Sequence, residues 1–277
     1  MKLEKINNVN VKPVVVPDGN ESEKIKGWKI APFKYFNMFL VAKKKSGKTS
    51  LINTIIKKTS DKRTTFWIFC STHRADDSWK AIIQFLEERG NKVNTFDSIF
   101  DGKTNLLNKI LDEMGEPEIV EEKKDKKAPV NLNDLKRTYD LFGKETDEKG
   151  EPKKDYVPKK RAMKHLFIFD DLSPELKHID RLLKIHRHFH ASVIISSQYV
   201  HDVSISSRLQ IDLLIIFRGF SEEKLELVAK SLDLSIAFPT LWSIYKYVTE
   251  EPYNFLYLNV RTEEIRRNLN TIIKYDE

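Results

Sequence analysis

The stretch Met38-Phe39-Leu40-Val41-Ala42-Lys43-Lys44-Lys45-Ser46-Gly47-Lys48-Thr49-Ser50-Leu51-Ile52-Asn53-Thr54-Ile55-Ile56 decides the fold. It opens as a short continuous apolar run, crosses a polar loop, and closes in a segment whose apolar residues have helical spacing. A run without alternation is the pattern of a strand buried on both faces of a parallel sheet. Strand, loop and helix start together make an anion cradle, because the loop N–H groups and the helix N-terminus point at the same spot. Gly47 allows the backbone to approach a phosphate closely. Lys48 is placed to reach β- and γ-phosphates, and the Thr49 hydroxyl suits a Mg²⁺ ligand. The expected nucleotide-binding segment therefore runs through Ala42, Lys43, Lys44, Lys45, Ser46, Gly47, Lys48, Thr49 and Ser50. Ala42 stands where this pattern, Walker A, begins with Gly, and its small side chain is expected to allow the turn. Lys43, Lys44 and Lys45 are read as solvated, with phosphate or DNA contact as the alternative.

Further apolar runs occur at Phe66–Cys70, Leu166–Phe169, Val193–Ile195, Leu213–Phe217 and Phe255–Val260. Helix-like segments lie between them at 50–58, 77–89, 176–190 and 221–231. Strands alternating with helices predict βαβ units, hence an α/β fold with a mainly parallel central sheet flanked by helices.

A cradle for a nucleotide needs a carboxylate at the end of a neighbouring strand, where α/β sheets bind ligands. Leu166-Phe167-Ile168-Phe169-Asp170-Asp171-Leu172 supplies two. Asp170 is expected to hold Mg²⁺ through water. Asp171 is expected to act as general base toward the attacking water. A helix cap before Ser173-Pro174-Glu175 is the competing reading of the same pair. Ser192-Val193-Ile194-Ile195-Ser196-Ser197-Gln198 is an apolar strand with a polar tip, so Gln198 is expected to orient the lytic water and sense the γ-phosphate. Arg208 and Arg218 are candidates for an arginine reaching a neighbouring subunit's transition state, with Arg187 a weaker third. His178, His186, His188 and His190 lack the spacing of a zinc site, and a solvated or DNA-facing helix is the reading preferred for them.

The chain has 277 residues, 40% hydrophobic and 32% charged, enough for one substantial α/β core with decorations. Residues 1–30 read as a polar arm, with Val14-Val15-Val16 a β-like run. Residues 31–277 read as one ATPase domain carrying a C-terminal strand and helix extension. A charged insertion at about 114–161 interrupts it, with one short helix carrying Leu132, Leu135, Tyr139 and Phe142. Lys and Arg number 48 against 41 Asp and Glu, a net charge of +7, which leans toward polyanionic partners. The single cysteine, Cys70, excludes an intrachain disulfide and reads as a buried small residue in a reducing compartment. The N-terminus lacks a signal-peptide pattern and no window has the apolar length of a membrane span, so a soluble, non-secreted protein is expected. An Asn-Lys-x-Asp guanine reader is absent, and the insertion is rich in Lys where a kinase lid would carry Arg.

The order Val41-Ala42, Gly47-Lys48-Thr49, Ile168-Phe169-Asp170-Asp171-Leu172, Arg187, Ile194-Ile195-Ser196-Ser197-Gln198, Arg208 resembles the genome-packaging ATPases of poxviruses, giant viruses, virophages and some archaeal viruses. These are a branch of the FtsK–HerA superfamily. The resemblance spans about Phe36 to Arg218. Ala42, an Asp in place of the commoner Glu at position 171, and the long insertion depart from the usual pattern. The resemblance implies a RecA-like P-loop NTPase of ASCE type, hydrolysing ATP with Mg²⁺. It also implies a homo-oligomeric ring, pentamer or hexamer, that moves double-stranded DNA into a capsid, with viral capsid proteins as partners. The host cytoplasm (viral factory) or the virion would be its location.

Overall fold

A computed structural model describes residues 26–115 and 163–275. The arm's Val14–Val16 run and the insertion's helix therefore lie outside the described residues. The chain divides into two compact units, and the larger takes in described residues 26–99 and 163–275.

The expected apolar runs are strands of one sheet: β1 (Asn37–Val41), β2 (Thr65–Cys70), β6 (His165–Asp170), β7 (Ala191–Ser197), β8 (Leu213–Phe217) and β9 (Phe255–Asn259). β3 (Val93–Phe96), β10 (Glu264–Arg267) and β11 (Thr271–Ile272) complete it, in the order β11-β10-β9-β8-β1-β7-β6-β2-β3. β8, β1, β7, β6, β2 and β3 run parallel, while β9, β10 and β11 continue the sheet antiparallel. β1, β8 and β9 are buried along their whole length, as strands covered on both faces must be. α1 (Lys48–Thr59) and α2 (Asp77–Glu88) pack on one face through Ile52, Ile55, Ile56, Trp79, Ile82 and Leu86, against Met38, Leu40, Ile68 and Ile168. The alternate residues face the other way. Phe69 stacks between Phe96 and Phe169, with ring centroids 4.7 and 5.0 Å apart. Each such side chain contributes about 1.5–3 kcal/mol of burial.

α2 begins where the Asp76 carboxylate accepts from Ser78 N at 2.8 Å and stops before Gly90, whose φ is 85°. α1 has no acidic residue in its first turn and two lysines in its last. That charge distribution leaves its N-terminus free to attract an anion.

The helix expected over 176–190 is corrected. It breaks into a 3₁₀ turn (Leu176–His178), α4 (Asp180–Ile185) and a second 3₁₀ turn (His186–Phe189). Leu176, Ile179, Leu182, Leu183 and His186 are buried, so the apolar periodicity does mark the inner face. The geometry is broken because Asp180 is held by the hydroxyls of Ser204, Ser206 and Ser207, and because His190 ends the segment in the left-handed region at φ 51°. His186, expected in solvent, is buried; its Nδ1 lies 2.9 Å from the Leu183 carbonyl, and burial lowers its pKa to about 4. α5 (Ile205–Arg208), α6 (Glu222–Ser231) and α7 (Phe238–Val248) complete this unit.

The smaller unit is described over residues 100–115: a hairpin of β4 (Phe100–Asp101) and β5 (Thr104–Asn105) leading into α3 (Leu106–Gly115). Asn105 Oδ1 accepts from Asn108 N at 2.9 Å and starts that helix. The charged remainder of the insertion lies outside the described residues.

Candidate active site

The carboxyl ends of β1, β7 and β6 meet at one point of the sheet, with β7 between the other two. Val41 is level with Ser197 and Asp170 with Ser196. The loop leaving β1 turns there into α1. Ala42 is fully buried and its N–H donates to Ser197 O at 3.0 Å. Its φ is not positive, which is why alanine serves where the pattern has glycine. The left-handed positions of the loop are Lys45 at φ 62° and Gly47 at 93°. Ser46 Oγ donates to Lys43 O at 2.7 Å, tying the loop across its mouth. Lys43, Lys44, Lys45 and Ser50 are exposed, Ser46, Gly47 and Thr49 are half-buried, and Lys48 is buried.

Lys48 Nζ lies 3.2 Å from Asp171 Oδ1 and 3.8 Å from Asp170 Oδ1. Neither aspartate caps a helix: the next 3₁₀ turn, Leu176–His178, has Glu175 at its N-cap position and no side-chain cap. Glu175 instead accepts from Ile99 N at 2.6 Å and Ser98 Oγ at 3.0 Å. Asp170 is buried, and its Oδ2 accepts from Trp79 Nε1 at 2.9 Å. Its Oδ1 has no hydrogen-bond partner, a costly state for a buried charged acceptor. Burial pushes the Asp170 carboxyl above the usual carboxylate range, against the pull of the Lys48 ammonium. Asp171 sits just past the strand with φ 53°, and Ser71 Oγ donates to its carbonyl at 3.1 Å. Left-handed backbone is tolerated by Asp better than by most residues, and here it lets consecutive aspartates face one lysine.

Gln198 comes directly after β7, in a turn held by Tyr199 N donating to Ser197 Oγ at 3.2 Å. It borders a cavity of about 640 Å³ together with Lys43, Lys44, Arg208, Phe220 and Lys224. Arg208, at the end of α5, is half-buried beside its own chain's Gln198; its Nε is buried without a partner, and desolvation lowers its pKa. Arg218 is exposed just past β8. Arg187 is elsewhere. It pairs with Asp212 at 3.5 Å beside Asn37, at the amino end of β1, opposite the loop. Cys70 is buried as expected, one strand from Asp170, with its thiol pushed up to about 11.

Sequence reasoning missed the role of Trp79. Its spacing marks only the buried face of α2, and nothing local shows that its indole meets a carboxylate 91 positions away. No group of His, Cys, Asp and Glu fit to hold a metal as a cluster occurs among the described residues. No helix among them is long and apolar enough to cross a membrane.

No family model and no curated protein matches the chain. Solved structures do resemble it. The genome packaging NTPase B204 from Sulfolobus turreted icosahedral virus 2, in complex with AMPPCP, aligns with a TM-score of 0.49 and 17% identity over 87% of this chain and 100% of that one. B204 of Sulfolobus turreted icosahedral virus, a DNA-packaging ATPase, aligns at 0.45 and 17% over 87% and 98%. The cytoplasmic domain of the Thermomonospora curvata Type VII secretion ATPase EccC aligns at 0.44 and 14% over 87% and 26%.

Proposed function

We propose that this chain hydrolyses ATP and couples the hydrolysis to movement of double-stranded DNA into a viral capsid. The observation that carries the hydrolase reading is the position of Lys48. It opens α1 directly after the β1–α1 loop and stands within 3.8 Å of both aspartates at the end of β6. The packaging reading rests on the order of motifs from Val41 to Arg208 and on the net positive charge of 7.

Thr49 and Asp170 fit a hydrated Mg²⁺, because Asp170 Oδ1, buried and without a hydrogen bond, is a hard oxygen that a cation's water shell would complete. That ion, when bound, neutralises charge gathering on the β- and γ-oxygens. Loop N–H groups hold the phosphates, and Lys48 leaves Asp171 for them. Asp171, no longer neutralised, accepts a proton from water as the water oxygen bonds to the γ-phosphorus. The bond to the β–γ bridging oxygen breaks, giving ADP and inorganic phosphate. Gln198 orients the water from the tip of β7. Arg218, supplied across a ring of five or six copies, or Arg208, supplied from the same chain beside Gln198, stabilises the transition state. The host cytoplasm or the virion is the setting.

ATPase rates with and without double-stranded DNA, for wild type and Lys48→Ala, test this. DNA-stimulated turnover abolished by the substitution supports the motor. Phosphate transfer to a small acceptor identifies a kinase, and no turnover identifies a nucleotide-gated adaptor.

A further inference from the structure

β9 runs antiparallel to β8, and its first residue, Phe255, pairs with Phe217, the last of β8. The residues just before Phe255 therefore project past the carboxyl tips of the parallel strands. Tyr253 stands there, 70% exposed, with φ 65°. A β-carbon built on Gly47 would meet Tyr253 Cδ1 at 3.4 Å, so the ring lies against the glycine that closes the phosphate loop. Left-handed backbone strains a bulky residue and persists where the surroundings impose it. Here they do. Asn254 Nδ2 and Arg267 Nη2 donate to Glu251 Oε2 at 3.0 and 2.7 Å. Asn268 Nδ2 donates to Asn254 Oδ1 at 2.8 Å, and Phe255 N donates to Asn268 Oδ1 at 3.1 Å. The turn is pinned on both sides of Tyr253, and the ring is left standing in water.

The sheet order gives that ring a use. The γ-phosphate must face Asp170, Asp171 and Gln198, which lie on the β7 and β6 side of β1. The other end of the nucleotide then leaves the loop toward β8 and β9, where Tyr253 stands. We propose, resting on the nucleotide reading above, that Tyr253 is the stacking platform for the base of the bound nucleoside triphosphate. An aromatic ring stacks on a base whatever the base's edge groups, because every base has a π-face. The platform supplies affinity, and the loop supplies the phosphate site.

Calorimetric titration of the non-hydrolysable analogue AMPPCP and of inorganic tripolyphosphate, both with Mg²⁺, tests this in wild type, Tyr253→Ala and Tyr253→Phe. Tyr253→Ala should weaken AMPPCP by about 5- to 50-fold, equivalent to roughly 1–2.3 kcal/mol. Tripolyphosphate, which has no base, should bind all three proteins within about twofold of one another, well inside the range one stacked base accounts for. Tyr253→Phe should keep wild-type affinity for AMPPCP. Equal AMPPCP affinity in wild type and Tyr253→Ala overturns the platform and leaves the phosphate loop standing. An equal loss of both ligands also overturns it, since that marks a distorted loop. Failure of the wild type to bind either ligand removes the loop reading and the platform with it. The exposed ring makes a folding defect in Tyr253→Ala unexpected, and a thermal melt of each variant verifies that.

Discussion

Trp79→Phe should weaken the fold by an amount that depends on pH, because the lost indole N–H donates to an ionisable oxygen. The bond to Asp170 Oδ2 is 2.9 Å long and both side chains are buried. A hydrogen bond to a charged group contributes about 1.5–3 kcal/mol. The void left by the smaller ring adds about 1 kcal/mol. At neutral pH the variant should therefore be about 2.5–4 kcal/mol less stable, a fall of roughly 5–15 °C in Tm for a domain of this size. The sign of the pH effect comes from Asp170. Burial raises its pKa, while Lys48 and the indole lower it, so losing the indole moves it further up. An acid whose folded pKa is raised contributes stability that is complete below its unfolded pKa and is lost as pH rises through the folded one. The unfolded titration is the same in both proteins and cancels, so the variant's deficit should widen as pH rises through the wild-type folded pKa, which lies above the ordinary Asp value of about 4. Urea melts of both proteins at several pH values across that window measure it. A deficit that stays constant across the window, or no deficit at all, would refute the reasoning.

Asp171→Asn should still bind ATP but hydrolyse it about 10²- to 10⁴-fold more slowly, the usual contribution of a positioned base; turnover at the wild-type rate removes Asp171 from that role. Cys70, with its thiol pushed up to about 11, should resist iodoacetamide at pH 8 in the native protein and react after unfolding in urea. Labelling of the native thiol at the rate of an exposed cysteine would contradict its burial. His186 has its pKa depressed to about 4, so it contributes stability that is present above the unfolded value near 6.5 and lost as pH falls through 4. The loss should reach about 3 kcal/mol, and His186→Gln should flatten the stability curve over that interval. An unchanged slope in denaturant melts would show that acid acts elsewhere.

The strand, loop and helix start around Lys48 were legible because the pattern is local. Val41 to Thr49 are consecutive, so strand, turn and helix start can be read from a single window, and the same holds for the four apolar residues that carry Asp170 to the end of β6. Continuous apolar runs likewise announced six strands of the sheet, since burial on both faces leaves a pattern in each strand separately. Contacts that depend on the order of strands were not written in any window. Trp79 meets Asp170 because β2 lies beside β6, and Tyr253 meets Gly47 because β9 turns back along β8. Arg187 lies between Asp171 and Gln198 in sequence, yet it belongs to the opposite end of the sheet, where Asp212 holds it. His186 looked like a solvated residue among histidines and is buried because its position in the broken helix points inward. Spacing along a chain encodes which face a residue takes within its own element. Which element stands opposite is settled by packing between distant segments, and that the tertiary structure alone decided.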